Sequence, residues 1–227
     1  MNGGVRQVSV LTNLGISDYD GLQTELSYRG HSKIYAALSY TLSKATNTSE
    51  PDGNGIGPNQ SVLSRLGEEE RGPSLLDQRH RAVITFTYQL PYNITAGTVT
   101  QLASARPFNA VTGIDNNGDG ANNDRPVVDG AILAKSAFRG TATQDVSMFI
   151  EGRIKPMGRT ILLRLEGFNL FNHANYLGRA QTTYGDLATI NNTFGQVVAP
   201  GTASNALPAL ANIDPPRMFQ FQVRFSF

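Results

Sequence analysis

Apolar and polar residues alternate with a two-residue period in seven stretches of the chain. In the last stretch, apolar Phe219, Phe221, Val223, Phe225 and Phe227 are separated by polar Gln220, Gln222, Arg224 and Ser226. Successive side chains of a β-strand point to opposite faces, so this alternation gives a strand one apolar and one polar face. A helical period is hard to find anywhere, and the sequence predicts an all-β fold. The other six stretches are 20–29, 33–43, 81–90, 94–103, 144–154 and 160–171.

The connections between these stretches alternate between short and long. The short ones are "GHS", "PYN" and "KPMGR", and the long ones run over about 44–78, 104–143 and 173–216. Outer-membrane barrels have short turns on the periplasmic side and long loops outside. Strands of about nine to eleven residues also suffice to cross a bilayer when tilted. The rhythm therefore predicts an antiparallel transmembrane β-barrel segment of about seven strands.

Alternation by itself fits two architectures. In a soluble or surface-anchored β-sandwich the apolar faces pack against each other, whereas in a membrane barrel the apolar face contacts lipid and the polar face lines a lumen. Aromatic residues near the strand ends favour the barrel, because interfacial girdles are aromatic. These residues are Tyr28, Tyr40, Phe86, Tyr88, Phe219 and Phe227. The sandwich, acting as an adhesive binding module with a calcium-stabilised loop, stays the alternative.

Composition narrows the function classes further. The 19 Lys and Arg residues balance 18 Asp and Glu residues, which argues against a nucleic-acid-binding surface. Cysteine is absent, so the chain has no disulfide framework and no Cys-ligated zinc. The chain contains no run of about twenty apolar residues, so no membrane-spanning helix is predicted. The opening "MNGGVRQVSV" lacks the pattern of a signal peptide, so an exported protein is expected to have further sequence upstream.

Four stretches, in this order and spacing, resemble the C-terminal barrel of TonB-dependent outer-membrane receptors. Within that family they are most similar to the Oar-like group, whose members carry a carboxypeptidase-regulatory-like domain before the plug. The resemblance spans about residues 18–227, and residues 1–17 are expected to be an irregular segment or a strand remnant. The stretches are "LSYTLSKATN" (38–47), "DQRHRAVITFTYQLP" (77–91), "LRLEGFNLFNHANY" (163–176) and "PRMFQFQVRFSF" (216–227).

The resemblance implies a location, partners and a role. The family's barrels have about 22 strands around a plug, so about seven strands imply the C-terminal third of a receptor in a Gram-negative outer membrane. Contact with TonB is implied only through N-terminal parts that this sequence lacks. The family's terminal aromatic strand is read by the barrel-assembly machinery, and its pattern is matched here by Phe219, Phe221, Val223, Phe225 and Phe227. The implied role is barrel wall and loops for ligand uptake.

The segment "TGIDNNGDGANNDRP" (112–126) carries the most suggestive chemical motif. Asp115, Asn117 and Asp119 at steps of two, followed by Gly120, match the first half of a calcium loop. Position twelve of that pattern is Pro126 rather than an acid, so Asp124 would have to complete the site. Two interpretations therefore stand: a Ca²⁺ ion that stabilises an extracellular loop, or a solvated Asx- and Gly-rich turn.

No other motif predicts catalysis or a cofactor, and the protein is not expected to be an enzyme. His31, His80 and His173 lie far apart in sequence, and "RHR" at a strand start is predicted to make structural hydrogen bonds. "GEEERG" (67–72) is interpreted as a solvated charge run. In "EGFNLFNHANY" (166–176), Asn169 and Asn172 are expected to satisfy backbone groups where a strand ends.

Overall fold

A computed structural model describes residues 13, 15–30, 33–48, 70–118, 122, 124–176, 192–196 and 216–226. Within these residues the regular secondary structure is almost entirely strand, with a 3-10 turn at Pro156–Gly158. None of the helical structure in these ranges is long and apolar enough to cross a membrane. The predicted all-β class is confirmed.

Seven long strands form one antiparallel sheet in which each strand pairs with its neighbours in the chain. Their mixed Val, Ile, Thr, Tyr and Phe content suits a pleated surface. The predicted number of about seven strands is confirmed. The strands are β1 (Ser17–Gly30), β2 (Ile34–Asn47), β3 (His80–Leu90), β4 (Ile94–Ala103), β5 (Thr143–Ile154), β6 (Thr160–Phe168) and β7 (Met218–Ser226).

The connections alternate as predicted. Residues 31–33, 91–93 and 155–159 join strands at one end of the sheet, whereas 48–79, 104–142 and 169–217 leave from the opposite end. Tyr92 and Asn93 have φ of 63° and 58°, and Met157 has 52°, so the turns at 91–93 and 155–159 use left-handed backbone to reverse the chain tightly. We call the two ends of the sheet the short-turn end and the long-loop end.

The strand register keeps apolar side chains on one face across the whole sheet. Leu26 is opposite Leu38, which is opposite Ile84, and on the far side Leu165 is opposite Phe221. The intervening residues form the polar face, where Gln101 is opposite Asp145. One face is thus apolar and the other polar over all seven strands, because a two-residue period maps each strand onto its neighbour without slippage.

Within the described residues, no protein segment covers the apolar face. Leu22, Leu26 and Phe221 remain 61%, 62% and 65% exposed, whereas the buried apolar residues of the described ranges lie in connection 104–142. A sandwich would need a second sheet over this face. The described ranges contain, beside the main sheet, only two short two-stranded ladders, Pro107–Phe108 with Phe138–Arg139 and Val127–Val128 with Ala131–Ile132. This arrangement disfavours the sandwich, since an uncovered apolar face of this extent requires lipid.

Strand bounds differ from the predicted ones at three places. β1 begins at Ser17 and β2 ends at Asn47, because their pairing extends beyond the alternating stretches; a two-residue strand, Gly72–Pro73, also pairs with the end of β2. β6 ends at Phe168, before the predicted Phe171, because Asn169 has a left-handed φ of 46°. The predicted segment 1–17 lies mostly outside the described residues. Within the described residues β1 and β7 are not paired with each other, so the sheet is open.

Candidate functional site

The polar face of β5 and β6 carries a network of charged side chains. Arg164 lies between two carboxylates, with its guanidinium 3.3 Å from Glu151 and 2.5 Å from Glu166. Glu151 also accepts a hydrogen bond from Arg153 at 2.9 Å. The Arg164 guanidinium lies 4.1 Å from the centroid of the Phe149 ring, a cation–π distance. The network holds charged groups in place on the polar face, which lines the lumen in the predicted barrel.

A glycine allows the Phe149 ring to lie flat against the sheet. Gly97 of β4 is the register partner of Phe149, and a Cβ atom at Gly97 would stand 2.6 Å from the ring. Any side chain at position 97 would therefore displace the ring and the guanidinium above it. Gly97 of β4 thus leaves room on the polar face for the aromatic ring of Phe149.

A cavity of about 580 Å³ opens on the polar face near the long-loop end. Its lining mixes carboxylate, guanidinium, amide and aromatic groups, the composition of many small-molecule sites. The lining includes Gln101, Asp145, Phe149, Arg164, Glu166 and Asn175. Residues 169–176 and 216–218 contribute to its rim, so strands and a long connection build it together.

The long connections pack into one assembly at the long-loop end. Arg125 donates two hydrogen bonds of 2.7 Å to the two carboxylate oxygens of Glu70, and both side chains are nearly completely buried. Burial lowers the pKa of Arg125, while the adjacent Glu70 carboxylate acts in the opposite direction. This charge-assisted pair joins connection 48–79 to connection 104–142. The interpretation of "GEEERG" as a solvated charge run is wrong at Glu70.

Two further contacts attach this assembly to the end of β2. Asp77, almost fully buried, accepts a hydrogen bond of 2.8 Å from the Ala45 amide and forms an ion pair with Arg139. Lys135 donates to the backbone oxygen of Asn47 at 3.1 Å. Each contact links positions more than thirty residues apart, so no local pattern in the sequence indicates them.

Three phenylalanines from two connections form the apolar part of the assembly. The ring centroids of Phe108 and Phe138 are 5.7 Å apart, and those of Phe138 and Phe194 are 5.0 Å apart with the rings nearly perpendicular. Edge-to-face packing at these distances is favourable for aromatic rings. Phe194 belongs to connection 169–217, so all three long connections contribute to the assembly.

The predicted calcium residues lie in this assembly, except Asp119, which is outside the described residues. The carboxylate of Asp115 accepts a hydrogen bond of 2.7 Å from the Gly118 amide, a local side-chain contact of the kind expected for the Asx- and Gly-rich turn of the alternative interpretation. Asp124 is fully buried and accepts from the amides of Asn116 and Asn117 at 2.6 and 3.1 Å. Both carboxylates hold the loop backbone, and calcium binding stays a prediction.

The predicted assembly-signal residues line the apolar side of the last strand. Phe219, Phe221, Val223 and Phe225 of β7 are all more than 40% exposed, and Phe227 lies outside the described residues. β7 pairs with β6 along its whole length, from Phe168 opposite Met218 to Thr160 opposite Ser226. Its second edge has no partner strand within the described residues.

The histidines and asparagines near the long-loop end make structural hydrogen bonds, as predicted. His80 Nδ1 lies 2.7 Å from the Tyr40 hydroxyl, and His31 lies outside the described residues. Asn169 accepts from the His173 amide and donates to the His173 carbonyl, both at 2.9 Å. Asn172 accepts from the Arg217 amide at 3.0 Å. The Asn side chains therefore satisfy backbone groups where β6 ends and where the chain returns to β7.

Comparison with known proteins gives one family. A family model described as an outer membrane beta barrel domain matches residues 2–149. The matched segment contains β1 to β4 and most of β5, together with the two connections joined by Glu70 and Arg125. No curated protein matches the chain.

Replacing Glu70 by Ala is expected to destabilise the loop assembly strongly. The change leaves the buried Arg125 guanidinium without its carboxylate, which costs about 3–5 kcal/mol for a buried pair. Hydrogen exchange of the Thr112 amide, which donates to the Asp124 carbonyl at 2.7 Å, measures the free energy of local opening. Asp18→Ala is the matched control, because the Asp18–Arg71 pair is about 40% exposed and contributes about 0–1 kcal/mol. Equal effects of the two substitutions would contradict the assigned role of the buried pair.

The calcium prediction gives Asp119 and Asp124 different roles, which substitutions can distinguish. Asp119→Ala is expected to abolish any heat of binding in calorimetry of the folded protein with millimolar Ca²⁺, because Asp119 stands at a ligand position of the motif. Asp124→Ala is expected to loosen the loop even without calcium, since Asp124 Oδ2 accepts two backbone amides and Ala offers no acceptor in its place. Absence of a calcium signal in the unmodified protein, or an unchanged signal in Asp119→Ala, would refute the site.

Proposed function

The chain belongs to the outer membrane beta barrel domain family, and from that premise we propose that it supplies wall strands and extracellular loops of an Oar-like TonB-dependent receptor. Its location is the outer membrane. One observation supports the proposal most. A single sheet leaves its apolar face uncovered, while the opposite face carries fixed charges and a cavity of about 580 Å³ beneath packed long connections. A polar lumen below large outer loops suits ligand capture and passage.

The ligand-handling part of the proposal rests on the long-loop end. Loops of a transport barrel that contact ligand need a defined shape, and here the Glu70–Arg125 pair and the Phe108–Phe138–Phe194 cluster supply it. The cavity beside Arg164 and Glu166 lies next to this assembly on the polar face. In the receptor, a ligand binds at the loops and moves along the polar face, with TonB acting through a plug domain of the same receptor.

The proposal also assigns the last strand to assembly. The apolar face of β7 carries a continuous row of exposed side chains, in the alternating pattern that resembles the family's signal. They are Phe219, Phe221, Val223 and Phe225. The barrel-assembly machinery reads this strand together with Phe227. Exposed aromatic side chains on an edge strand are a hazard in water, which a dedicated insertion partner removes.

A photoreactive amino acid on the polar face tests the receptor proposal. Placed at Gln222 of β7, which is opposite Arg164, it is expected to cross-link in outer membranes to a plug domain whose polypeptide carries a TonB box. Val223, the next residue on the lipid side, is the control and should give no such adduct. Mass spectrometry of the adducts identifies the partner. A species that gives no plug adduct at Gln222 and conducts ions freely in planar bilayers would refute the receptor proposal in favour of an open pore.

If β7 is recognised by the assembly machinery, substitutions on its apolar face should impair barrel formation in cells but not refolding in detergent. Phe221→Ser with Phe225→Ser is expected to lower the heat-modifiable fraction in outer membranes several-fold, whereas Gln222→Ser on the opposite face leaves it unchanged. Refolding of the same proteins from urea into detergent, without assembly machinery, provides the second measurement. A loss of the same size in detergent would show that the aromatics act through stability alone, and would contradict a recognition role.

A further inference from the structure

The short-turn end of the sheet carries only positive charge. The sequence ranges that form this end, 26–38, 86–98, 152–163 and 222–227, contain no Asp or Glu. They contain six cationic residues: Arg29, Lys33, Arg153, Lys155, Arg159 and Arg224. The chain as a whole is almost neutral, so this end is a distinct electrostatic feature.

Two of these cations lie in one cross-strand row on the polar face. Leu162 of β6 is the register partner of Arg153 in β5 on one side and of Arg224 in β7 on the other. The two backbones are therefore about 10 Å apart, twice the spacing of neighbouring strands. Arg153 and Arg224 therefore flank Leu162 on the polar face, one on each neighbouring strand.

A cleft of about 750 Å³ lies at these residues. Its lining contains Arg153, Lys155 and Arg224, with hydroxyl and amide groups from Thr160, Ser226 and Gln89, and no carboxylate among the described residues. Glu151 accepts from Arg153 at 2.9 Å and from Arg164 at 3.3 Å, and Arg164 also pairs with Glu166 at 2.5 Å. These two carboxylates balance Arg153 and Arg164, so the excess positive charge of the cleft comes from Lys155 and Arg224.

The position of the cleft excludes a lipid headgroup as its occupant. Arg153 and Arg224 are on the polar face, whereas the neighbouring Ile161 and Phe225 pair on the apolar face that contacts lipid. A volume of this size suits a small molecule rather than a folded domain. Guanidinium, ammonium and hydroxyl groups together are the donors that phosphate and carboxylate oxygens accept from.

We propose that this cleft at the short-turn end binds a small soluble oxyanion, a solute that bears phosphate or carboxylate groups. The inference rests on the proposed function in one respect, that the polar face is the lumen. In that setting the cleft lies at the periplasmic mouth, where it attracts anions that leave or enter the lumen. Field lines concentrate in a cleft with low-dielectric walls, so Lys155 and Arg224 act there more strongly than on open surface.

Calorimetry of the protein extracted from outer membranes tests the proposal. The probes are inorganic pyrophosphate and citrate, in octyl glucoside and phosphate-free buffer. Lys155→Gln with Arg224→Gln is expected to weaken binding about tenfold, because two charge contacts of about 1 kcal/mol or less each are removed. Lys44→Gln with Arg81→Gln removes the same charge at the long-loop end and is expected to change binding less than about twofold. Added NaCl should weaken binding in the unmodified protein.

The outcomes separate the ligand classes and decide the proposal. Binding of pyrophosphate alone assigns phosphate, binding of citrate alone assigns carboxylate, and binding of both assigns oxyanions generally. Absence of binding by both probes, or equal losses in the two double variants, overturns the cleft as a site. If the cleft variant does not reach the outer membrane, Lys155→Gln alone, in the turn after β5, is expected to weaken binding in the same direction. The cross-linking at Gln222 tests contact with a plug domain and does not depend on anion binding. The receptor proposal and the oxyanion proposal can therefore fail separately.

Discussion

The hydrogen-bonding needs of the backbone in lipid constrain this structure more than any other factor. No water in the hydrocarbon region satisfies an exposed amide or carbonyl, so every strand there must be paired along its length. The six ladders between β1 and β7 meet that need for the inner strands and fix the register of both faces. Because the register is fixed, the two-residue alternation of the sequence becomes one continuous apolar surface and one continuous polar surface.

The stability of the protein is divided between two environments. The sheet buries few side chains against protein, and its apolar residues rely on lipid. The loop assembly behaves as a small water-exposed domain with its own interior, formed by Phe108, Ala110 and Val111 and by the buried pair of Glu70 and Arg125. Two hydrogen bonds connect the two parts: Asp77 accepts from the Ala45 amide, and Lys135 donates to the Asn47 carbonyl at the end of β2. Damage to the assembly is therefore expected to leave the sheet intact.

The sequence predicted what depends on neighbouring residues and missed what depends on distant ones. Strand positions, faces and the short and long connections follow from a period of two and from turn residues, which are local properties. The end of β6 was placed three residues late, because the left-handed backbone of Asn169 overrides an apolar pattern that continues to Phe171. The pairing of Glu70 with Arg125 spans 55 residues, and no spacing rule connects them. The cavity beside Arg164 likewise requires β4, β5 and β6 to be brought together. The need for glycine at position 97 becomes visible only when the register places it opposite Phe149.

The long strands of the described residues are odd in number, and this has a geometric consequence for closure. Six successive antiparallel pairings reverse the chain six times, so β1 and β7 run in the same direction. Joining them directly, or joining β7 of one copy to β1 of another that faces the same way, would make a parallel seam. An entirely antiparallel cylinder with all long connections on one side therefore needs an odd number of further strands between these two edges. Parity, rather than the strength of any contact, makes a ring of identical copies unsuitable for this sheet.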